Sequence, residues 1–251
     1  MEQGIAVKTM KRAVAGLVDS RLARLFGDPM LHLTQYALSL HGREVISFRD
    51  RPGRIRAAAF IREVLTKFQP MTMGVDEAYI VYSAVQRTAK VPGDVAEVGV
   101  FRGQSARIIC EAKGDRTLHL FDTFQGLPEP GAVDTVFKQG EYACSLAAVQ
   151  SFLAGQTNVR YHPGLFPGTA GAVTDARFSF VHLDVDLYES TRAALVFFYP
   201  RMLPGAILVS HDYVIAEGVR QAFDEFFEHK PEPVLELTGN QCLVVKLSHD
   251  G

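Results

Sequence analysis

The chain has 251 residues, a formal net charge of −2 at pH 7 and 47% hydrophobic residues. This size and composition are typical of a globular protein that buries enough surface to fold without disulfides or structural metals. The 26 Lys and Arg against 28 Asp and Glu lack the basic excess of a dedicated nucleic-acid-binding protein, so we expect no nucleic-acid partner.

Neither the cysteines nor the hydropathy pattern indicates a secreted or membrane protein. Cys110, Cys144 and Cys242 form no CxxC pair and are odd in number, which is typical of a reducing compartment. The apolar run at 13–18 is too short to span a membrane and lacks a signal-peptide cleavage site. We therefore predict a soluble cytoplasmic protein with no membrane partner.

The first 91 residues are predicted to be mainly helical. Apolar residues recur at helical spacing over 14–25 and 61–68, and another helix is predicted over about 75–89. Between them, the stretch 42–53 contains Arg-Asp-Arg-Pro-Gly, which predicts a loop. The turn Val91-Pro92-Gly93 divides this segment from the rest of the chain.

From residue 92 onwards, apolar runs of strand length alternate with helical stretches. The predicted strands are 94–100, 118–122, 159–162, 178–186 and 206–210. The predicted helices are 104–112, 145–153, 190–201 and 218–229. This alternation implies parallel strands joined by right-handed crossovers. Two last strands, 234–237 and 242–247, predict an antiparallel hairpin, so the predicted fold is a Rossmann-like α/β sheet of seven mostly parallel strands.

A glycine-containing turn follows the first predicted strand and opens a helix. It reads Glu97-Val-Gly99-Val-Phe101-Arg-Gly103-Gln-Ser105. Glycine lets backbone approach a ligand closely, and a helix N-terminus offers amide groups to an anion such as a methionine carboxylate. The spacing is Gly-x-x-x-Gly and not the dinucleotide-binding Gly-x-Gly-x-x-Gly. A tight strand-to-helix turn without a ligand explains the same residues.

Asp122 ends the second predicted strand. An acid at this place, about 20 residues beyond the glycine turn, is positioned to bind ribose hydroxyls. It would alternatively cap the following turn, where Thr123 and Gly126 lie. The two features in this order favour a nucleoside ligand, and they do not separate S-adenosylmethionine from NAD.

Acidic residues and a histidine follow the fourth and fifth predicted strands. Because the carboxyl ends of parallel strands meet at one edge, we expect Asp184, Asp186, His211 and Asp212 to converge there. Asp184 and Asp186 share a face if the strand stays extended. Carboxylates suit Mg²⁺, which binds substrate oxygens and acidifies a hydroxyl, and a free carboxylate or histidine then takes the proton. Helix capping is the alternative for the acids, and His182 is interpreted as a core histidine.

These passages together resemble the macrocin O-methyltransferase family, whose members methylate hydroxyls on antibiotic sugars. The most specific matches are Phe121-Asp122-Thr-Phe-Gln-Gly126-Leu-Pro128 and Leu183-Asp184-Val-Asp186-Leu-Tyr188, and the matching passages cover most of 92–227. The resemblance implies a class I methyltransferase core that uses S-adenosylmethionine. It also implies a small-molecule hydroxyl acceptor, a role in antibiotic biosynthesis and a homo-oligomer.

The resemblance further implies a cofactor site. Its residues are Thr72, Met73, Glu97, Gly99, Phe101, Gly103, Ser105, Asp122, Gly164, Phe166 and Asp184. The glycine turn would surround the methionine and ribose, Asp122 would hold the ribose hydroxyls, and Gly164 with Phe166 would lie near the adenine. The segment 1–91 would form a helical lid and subunit contact, and 92–251 would form the cofactor-binding domain.

The family is also similar to catechol-type methyltransferases that depend on Mg²⁺. This implies that Asp184, His211 and Asp212 hold a divalent metal, expected to be Mg²⁺. The usual adjacent pair is Asp-Asp, so His211-Asp212 is a departure, and histidine suits borderline metals better than Mg²⁺. Asp184, Asp186 and His211 are the candidate catalytic residues for in-line methyl transfer to the hydroxyl.

Two other functions stay open at this point. An NAD-dependent oxidoreductase would use a similar nucleoside site, but the third glycine is missing and the terminal hairpin argues against it. A non-catalytic binding or assembly protein would have kept the fold and lost the metal, which the histidine at 211 makes conceivable. The acceptor itself is not specified by these residues.

Overall fold

The computed structural model describes residues 52–68 and 72–248. The features below belong to the compact unit Arg56–Gly251, except that the first helix begins at Pro52, four residues before it. The helix predicted over 14–25 and most of the loop predicted over 42–53 lie outside the described residues. Assignment of 1–91 as a lid and subunit contact stays a prediction.

Helices and strands alternate through the described residues. The α-helices are α1 (Pro52–Leu65), α2 (Val75–Arg87), α3 (Gln104–Ala112), α4 (Leu146–Phe152), α5 (Tyr188–Phe198) and α6 (Glu217–Phe227). The strands are β1 (Asp94–Val98), β2 (Leu118–Asp122), β3 (Val159–Pro163), β4 (Phe178–Leu183), β5 (Met202–Ser210), β6 (Leu235–Glu236) and β7 (Cys242–Val245). Helix α1 takes in Pro52 and Gly53, which the sequence places in a loop, because proline is well suited to the first helical turn.

The seven strands form one sheet in the order β3-β2-β1-β4-β5-β7-β6. Strands β1 to β5 run parallel, and β7 runs antiparallel to both β5 and β6. The predicted α/β class, with its terminal hairpin, is confirmed. The strand order reverses between β1 and β4, and ligands of open α/β sheets bind in the crevice at such a point.

Apolar side chains fill both faces of this sheet. Strand β4 is buried at every position, as expected for a parallel strand covered on both sides. One face packs around Phe121, Phe178 and Phe198, and the other packs around Phe180 and Ile109. The core therefore holds the carboxyl ends of β1, β2, β4 and β5 in fixed positions.

Two central strands end earlier than the sequence predicts. The predicted ends are Val100 and Asp186, whereas β1 ends at Val98 and β4 at Leu183. After β1 the chain leaves the extended conformation at Gly99, which has a φ of +85°. After β4, Asp186 has a φ of +63°, so the strand alternation that would place Asp184 and Asp186 on one face does not apply.

Helix α5 begins at Tyr188, two residues before the predicted start. Its N-cap residue, Leu187, has no side chain that accepts a hydrogen bond. Instead, Asp134 Oδ1 accepts a hydrogen bond from Tyr188 N at 2.9 Å, so the cap comes from the long loop between β2 and α4. No helix within 52–68 or 72–248 is long and apolar enough to cross a membrane.

Candidate cofactor and metal site

A cavity of about 600 Å³ opens at the carboxyl edge of the sheet, where the strand order reverses. The predicted cofactor residues that line it are Thr72, Met73, Gly99, Phe101, Ser105, Asp122, Gly164, Phe166 and Asp184. Asp186, His211 and Asp212 line the same cavity. The structure therefore brings the predicted catalytic and metal residues together with all the predicted cofactor residues except Glu97 and Gly103.

The turn after β1 brings backbone to the cavity wall. A Cβ atom on Gly99 would lie 1.7 Å from the carbonyl oxygen of Asp184, so only glycine fits between the ends of β1 and β4. Gly103 is the left-handed N-cap of α3, with a φ of +80°. Gln104 and Ser105, the first two residues of α3, line the cavity, so the amino end of this helix faces the crevice, and anion binding there stays a prediction.

Asp122 ties this turn to the end of β2. Its Oδ2 accepts hydrogen bonds from Val100 N at 2.6 Å and Phe101 N at 3.0 Å. Its Oδ1 accepts one from Phe124 N at 2.6 Å. The capping alternative is thus present in the structure, although Asp122 also lines the cavity.

Glu97 lies beneath the turn, outside the cavity lining. Its side chain is fully buried, and Oε1 lies 2.9 Å from His182 Nδ1. Burial raises the pKa of Glu97 to about 8 and lowers the pKa of His182 to about 4, so both groups are uncharged near neutral pH. Among the described residues, Glu97 Oε2 and His182 Nε2 have no hydrogen-bond partner, so the core histidine is satisfied at one nitrogen only.

Asp184, His211 and Asp212 form a cluster of potential metal ligands. One donor atom from each lies within 4.8 Å of the other two. His211 Nδ1 is 3.7 Å from Asp184 Oδ1 and 3.8 Å from Asp212 Oδ1. Ligand atoms about 2.0–2.2 Å from an ion lie about 3–4 Å apart, so the donor types and spacings both fit a divalent cation.

The charges around His211 are unusually dense. Burial lowers the pKa of its ring, but Asp184, Glu77 and Asp212 outweigh burial and raise the pKa to about 9. Burial raises the pKa of Asp184 to about 6, even though His211 opposes the rise. Burial and the neighbouring charges of Asp184 and Asp212 raise the pKa of Asp186 well above its ordinary value. A bound cation would relieve the repulsion among these carboxylates.

Two further residues, Glu77 and Asn240, complete the site, and neither is among the residues predicted from the sequence. Glu77 on α2 accepts hydrogen bonds from Gly74 N at 2.7 Å and Asn240 N at 2.8 Å. Asn240 Nδ2 donates to Asp212 Oδ1 at 2.5 Å. Glu77 lies three residues after the N-cap Gly74 and accepts a hydrogen bond from its backbone N–H, and Asn240 lies in the predicted hairpin turn. Those local signals indicate a cap and a turn, and nothing in them indicates a ligand site.

The loop between β2 and α4 covers part of the cavity. Leu127, Phe137 and Tyr142 line the cavity from this loop. The loop is held by Asp134, whose two carboxylate oxygens accept hydrogen bonds from Tyr188 N and Gly131 N. These apolar and aromatic side chains give the cavity wall a surface for a ligand that is not wholly polar.

A sequence model of the macrocin-O-methyltransferase (TylF) family matches residues 80–237, which is more than half of the chain. The chain belongs to the macrocin O-methyltransferase family. The resemblance stated from the motifs is therefore confirmed. Thr72, Glu77 and Asn240 lie outside the matched residues, although all three line the cavity.

Two curated relatives match part of the chain. The chain is 33% identical over 168 residues to the 8-demethyl-8-(2,3-dimethoxy-alpha-L-rhamnosyl)-tetracenomycin-C 4'-O-methyltransferase of Streptomyces olivaceus, covering 59% of this chain and 64% of the relative. It is 34% identical over 155 residues to the mycinamicin III 3''-O-methyltransferase of Micromonospora griseorubida, covering 54% and 61%. The chain thus spans less than two thirds of the length of these curated relatives.

Solved structures show the same architecture. The O-methyltransferase NovP superposes with a TM-score of 0.63 at 25% identity, over 70% of this chain and 81% of that chain. An O-methyltransferase from Bacillus cereus in complex with SAH superposes with a TM-score of 0.55 at 12% identity, over 85% and 97%. The second likeness concerns the fold alone.

Proposed function

We propose that this chain is an S-adenosylmethionine-dependent O-methyltransferase that acts on a hydroxyl of a sugar or another secondary-metabolite moiety, with the help of a divalent metal. One observation carries the proposal: a single cavity joins the glycine turn after β1 to the carboxylate and histidine cluster after β4 and β5. The names of the relatives, which include a 4'- and a 3''-O-methyltransferase, support a sugar hydroxyl as acceptor.

S-adenosylmethionine, when bound, supplies an electrophilic methyl group. The amino end of α3 would hold its carboxylate, because helix N-termini favour anions. Gly164, which has no side chain, and Phe166 at the cavity wall would hold the adenine, and Asp122 would face the ribose. Thr72 and Met73 would cover the cofactor from the segment before α2. Glu97 would support the turn from below, since it lies outside the cavity lining.

Asp184, His211 and Asp212 would hold a divalent metal, which would orient the acceptor hydroxyl and make it more acidic. Asp186 lines the cavity beside this cluster and is the carboxylate best placed to accept the proton, with Asp184 as the alternative. Most of the rate enhancement would come from holding the hydroxyl and the methyl group in line.

A cytoplasmic location is part of this proposal, because all three cysteines are unpaired. The homo-oligomer implied by the family resemblance stays a prediction. Gel filtration with light scattering would measure the oligomeric state directly.

The test is a calorimetric titration of the purified protein with S-adenosylhomocysteine, once with Mg²⁺ and once with EDTA. We expect binding in both conditions, because the cofactor residues and the metal residues are different sets apart from Asp184. Methyl transfer is then measured with labelled S-adenosylmethionine against a panel of rhamnosylated and other glycosylated acceptors. A folded protein that binds no S-adenosylhomocysteine would contradict the proposal and favour a non-catalytic role.

A further inference from the structure

Glu77 is held rigidly at the edge of the metal-ligand cluster. Its Oε2 accepts a hydrogen bond from Gly74 N at 2.7 Å, and its Oε1 accepts one from Asn240 N at 2.8 Å. The Glu77 side chain is 11% exposed. Because both oxygens are tied to backbone amide groups of separate segments, the carboxylate cannot swing away without breaking either a helix cap or a hairpin contact.

This fixed carboxylate faces one nitrogen of His211. Glu77 Oε2 lies 3.4 Å from His211 Nε2, on the opposite side of the ring from the two aspartates. Nε2 is buried and makes no hydrogen bond within the described residues, so Glu77 is the acceptor in reach. The other nitrogen, Nδ1, faces Asp184 and Asp212 at 3.7 and 3.8 Å.

We infer that Glu77 is a positioning residue: it keeps the Nε2 proton on His211, so that a metal beside Asp184 and Asp212 would displace the proton of Nδ1 and bind there. A histidine ligand commonly donates its second N–H to a carboxylate, which fixes both the tautomer and the ring orientation. The inference rests on the metal-assisted part of the proposed function. It adds the first turn of α2, which precedes the matched family residues, to the machinery of the site.

The metal ligands of this site therefore differ from those of a site with three carboxylates. One imidazole nitrogen and two carboxylate oxygens suit borderline transition metals, whereas Mg²⁺ prefers oxygen ligands and retained waters. With Glu77 holding the ring in place, the site takes Co²⁺ or Zn²⁺ in preference to Mg²⁺. Glu77 and His211 thus set the metal preference together.

The experiment measures metal binding and not only turnover. Calorimetry gives the affinities of the metal-free protein for Co²⁺ and Mg²⁺, with wild type, Glu77→Gln, His211→Asp and the double variant. Asp76→Asn is the matched control, because it removes the same charge one residue away on the first turn of α2. Affinity for S-adenosylhomocysteine is measured for every variant, which reports whether the fold and the cofactor site are intact.

We expect wild type to bind Co²⁺ more tightly than Mg²⁺. Glu77→Gln should weaken Co²⁺ binding about 10- to 100-fold, the range for loss of a carboxylate behind a histidine ligand, while Asp76→Asn leaves it unchanged. His211→Asp should shift the preference towards Mg²⁺, and in that background Glu77→Gln should no longer weaken binding, because no ring remains to be oriented.

A spectroscopic readout separates positioning from a general structural role. With Zn²⁺ bound, ¹⁵N NMR of the His211 ring should show the metal on Nδ1 and the proton on Nε2. Zinc on Nε2 would overturn the inference. An equal loss of Co²⁺ affinity on Glu77→Gln in wild type and in His211→Asp would overturn it as well. If wild type binds S-adenosylhomocysteine but no metal, the inference fails while methyl transfer stands; if it binds neither, the proposed function fails as well.

Discussion

Replacing Gly99 with alanine tests how closely the site depends on the approach of β1 to β4. The added Cβ would lie 1.7 Å from the Asp184 carbonyl oxygen and 2.6 Å from its carbonyl carbon. Ordinary contact begins at about 3.4 Å, so the two strand ends must separate by roughly 1.7 Å. At this point Asp184 N also donates to Val98 O at 2.9 Å, and that hydrogen bond would be stretched.

The displacement falls on a predicted metal ligand. A shift of about 1 Å in a reacting group costs about 100-fold in rate, so we expect Gly99→Ala to lose at least that much turnover. Placing alanine at a φ of +85° costs about 1–3 kcal/mol by itself. Gly99→Ala should therefore lower the free energy of unfolding more than Gly→Ala at a position that has a similar φ and open space around it.

Gly155→Ala supplies that comparison. Gly155 has a φ of +83°, and among the described residues, its two chain neighbours aside, no atom lies within 4 Å of its added Cβ. Urea unfolding of both variants, with calorimetry for S-adenosylhomocysteine, separates the cost of the backbone angle from the cost of the clash. Equal stabilities and unchanged ligand affinity in the two variants would refute the close approach of β1 and β4 as a determinant of the site.

Four other substitutions test three separate parts of the structure. Asp184→Ala should abolish turnover and leave most of the cofactor affinity, measured by methyl transfer and calorimetry; near-normal turnover would contradict the mechanism. Asp134→Ala removes the cap of α5 at Tyr188 N and should lower the free energy of unfolding by about 1 kcal/mol, whereas an unchanged urea midpoint would argue against the cap. Lys246→Met removes the ammonium group that lies 2.8 Å from Glu232 Oε1 and should lower the free energy of unfolding by about 1.5–3 kcal/mol, measured by urea unfolding at pH 7. Burial alone would raise the pKa of Glu232, but the bonds from Lys246 and Tyr199 lower it to about 2. Because the folded pKa lies below the unfolded value of about 4.3, this stabilisation is present above pH 4.3 and is lost as the pH falls towards 2. The stability gap between wild type and Glu232→Gln should therefore narrow on acidification, and a gap that widens would contradict the assigned ion pair.

The order and type of the elements from α2 onwards follow from local sequence. Apolar runs such as 178–183 are long enough for strands and too short for independent helices, and the helical stretches between them show the amphipathic period. The glycine turn and Asp122 also lie where the pattern predicts them, because a strand that feeds a helix needs a turn at that place. The motifs were sufficient to identify the family.

Where the strands end was decided by tertiary contact. Gly99 and Asp184 meet across two strands that are 85 residues apart in sequence, and no local propensity encodes that approach. Helix α5 starts early because Asp134, on a distant loop, supplies its cap. A pattern of apolar residues predicts that a helix or strand exists more reliably than it predicts the residue at which that element ends.

The positions of the acids and of His211 along the chain already predict that they gather at the carboxyl edge of the sheet, since parallel strands place their ends together. Which atoms face one another follows from the packing of the folded chain. Glu77, from a helix before the sheet, and Asn240, from the hairpin at one edge of it, reach His211 and Asp212. Contacts between segments so far apart depend on the packing of the whole core, and no spacing along the chain records them.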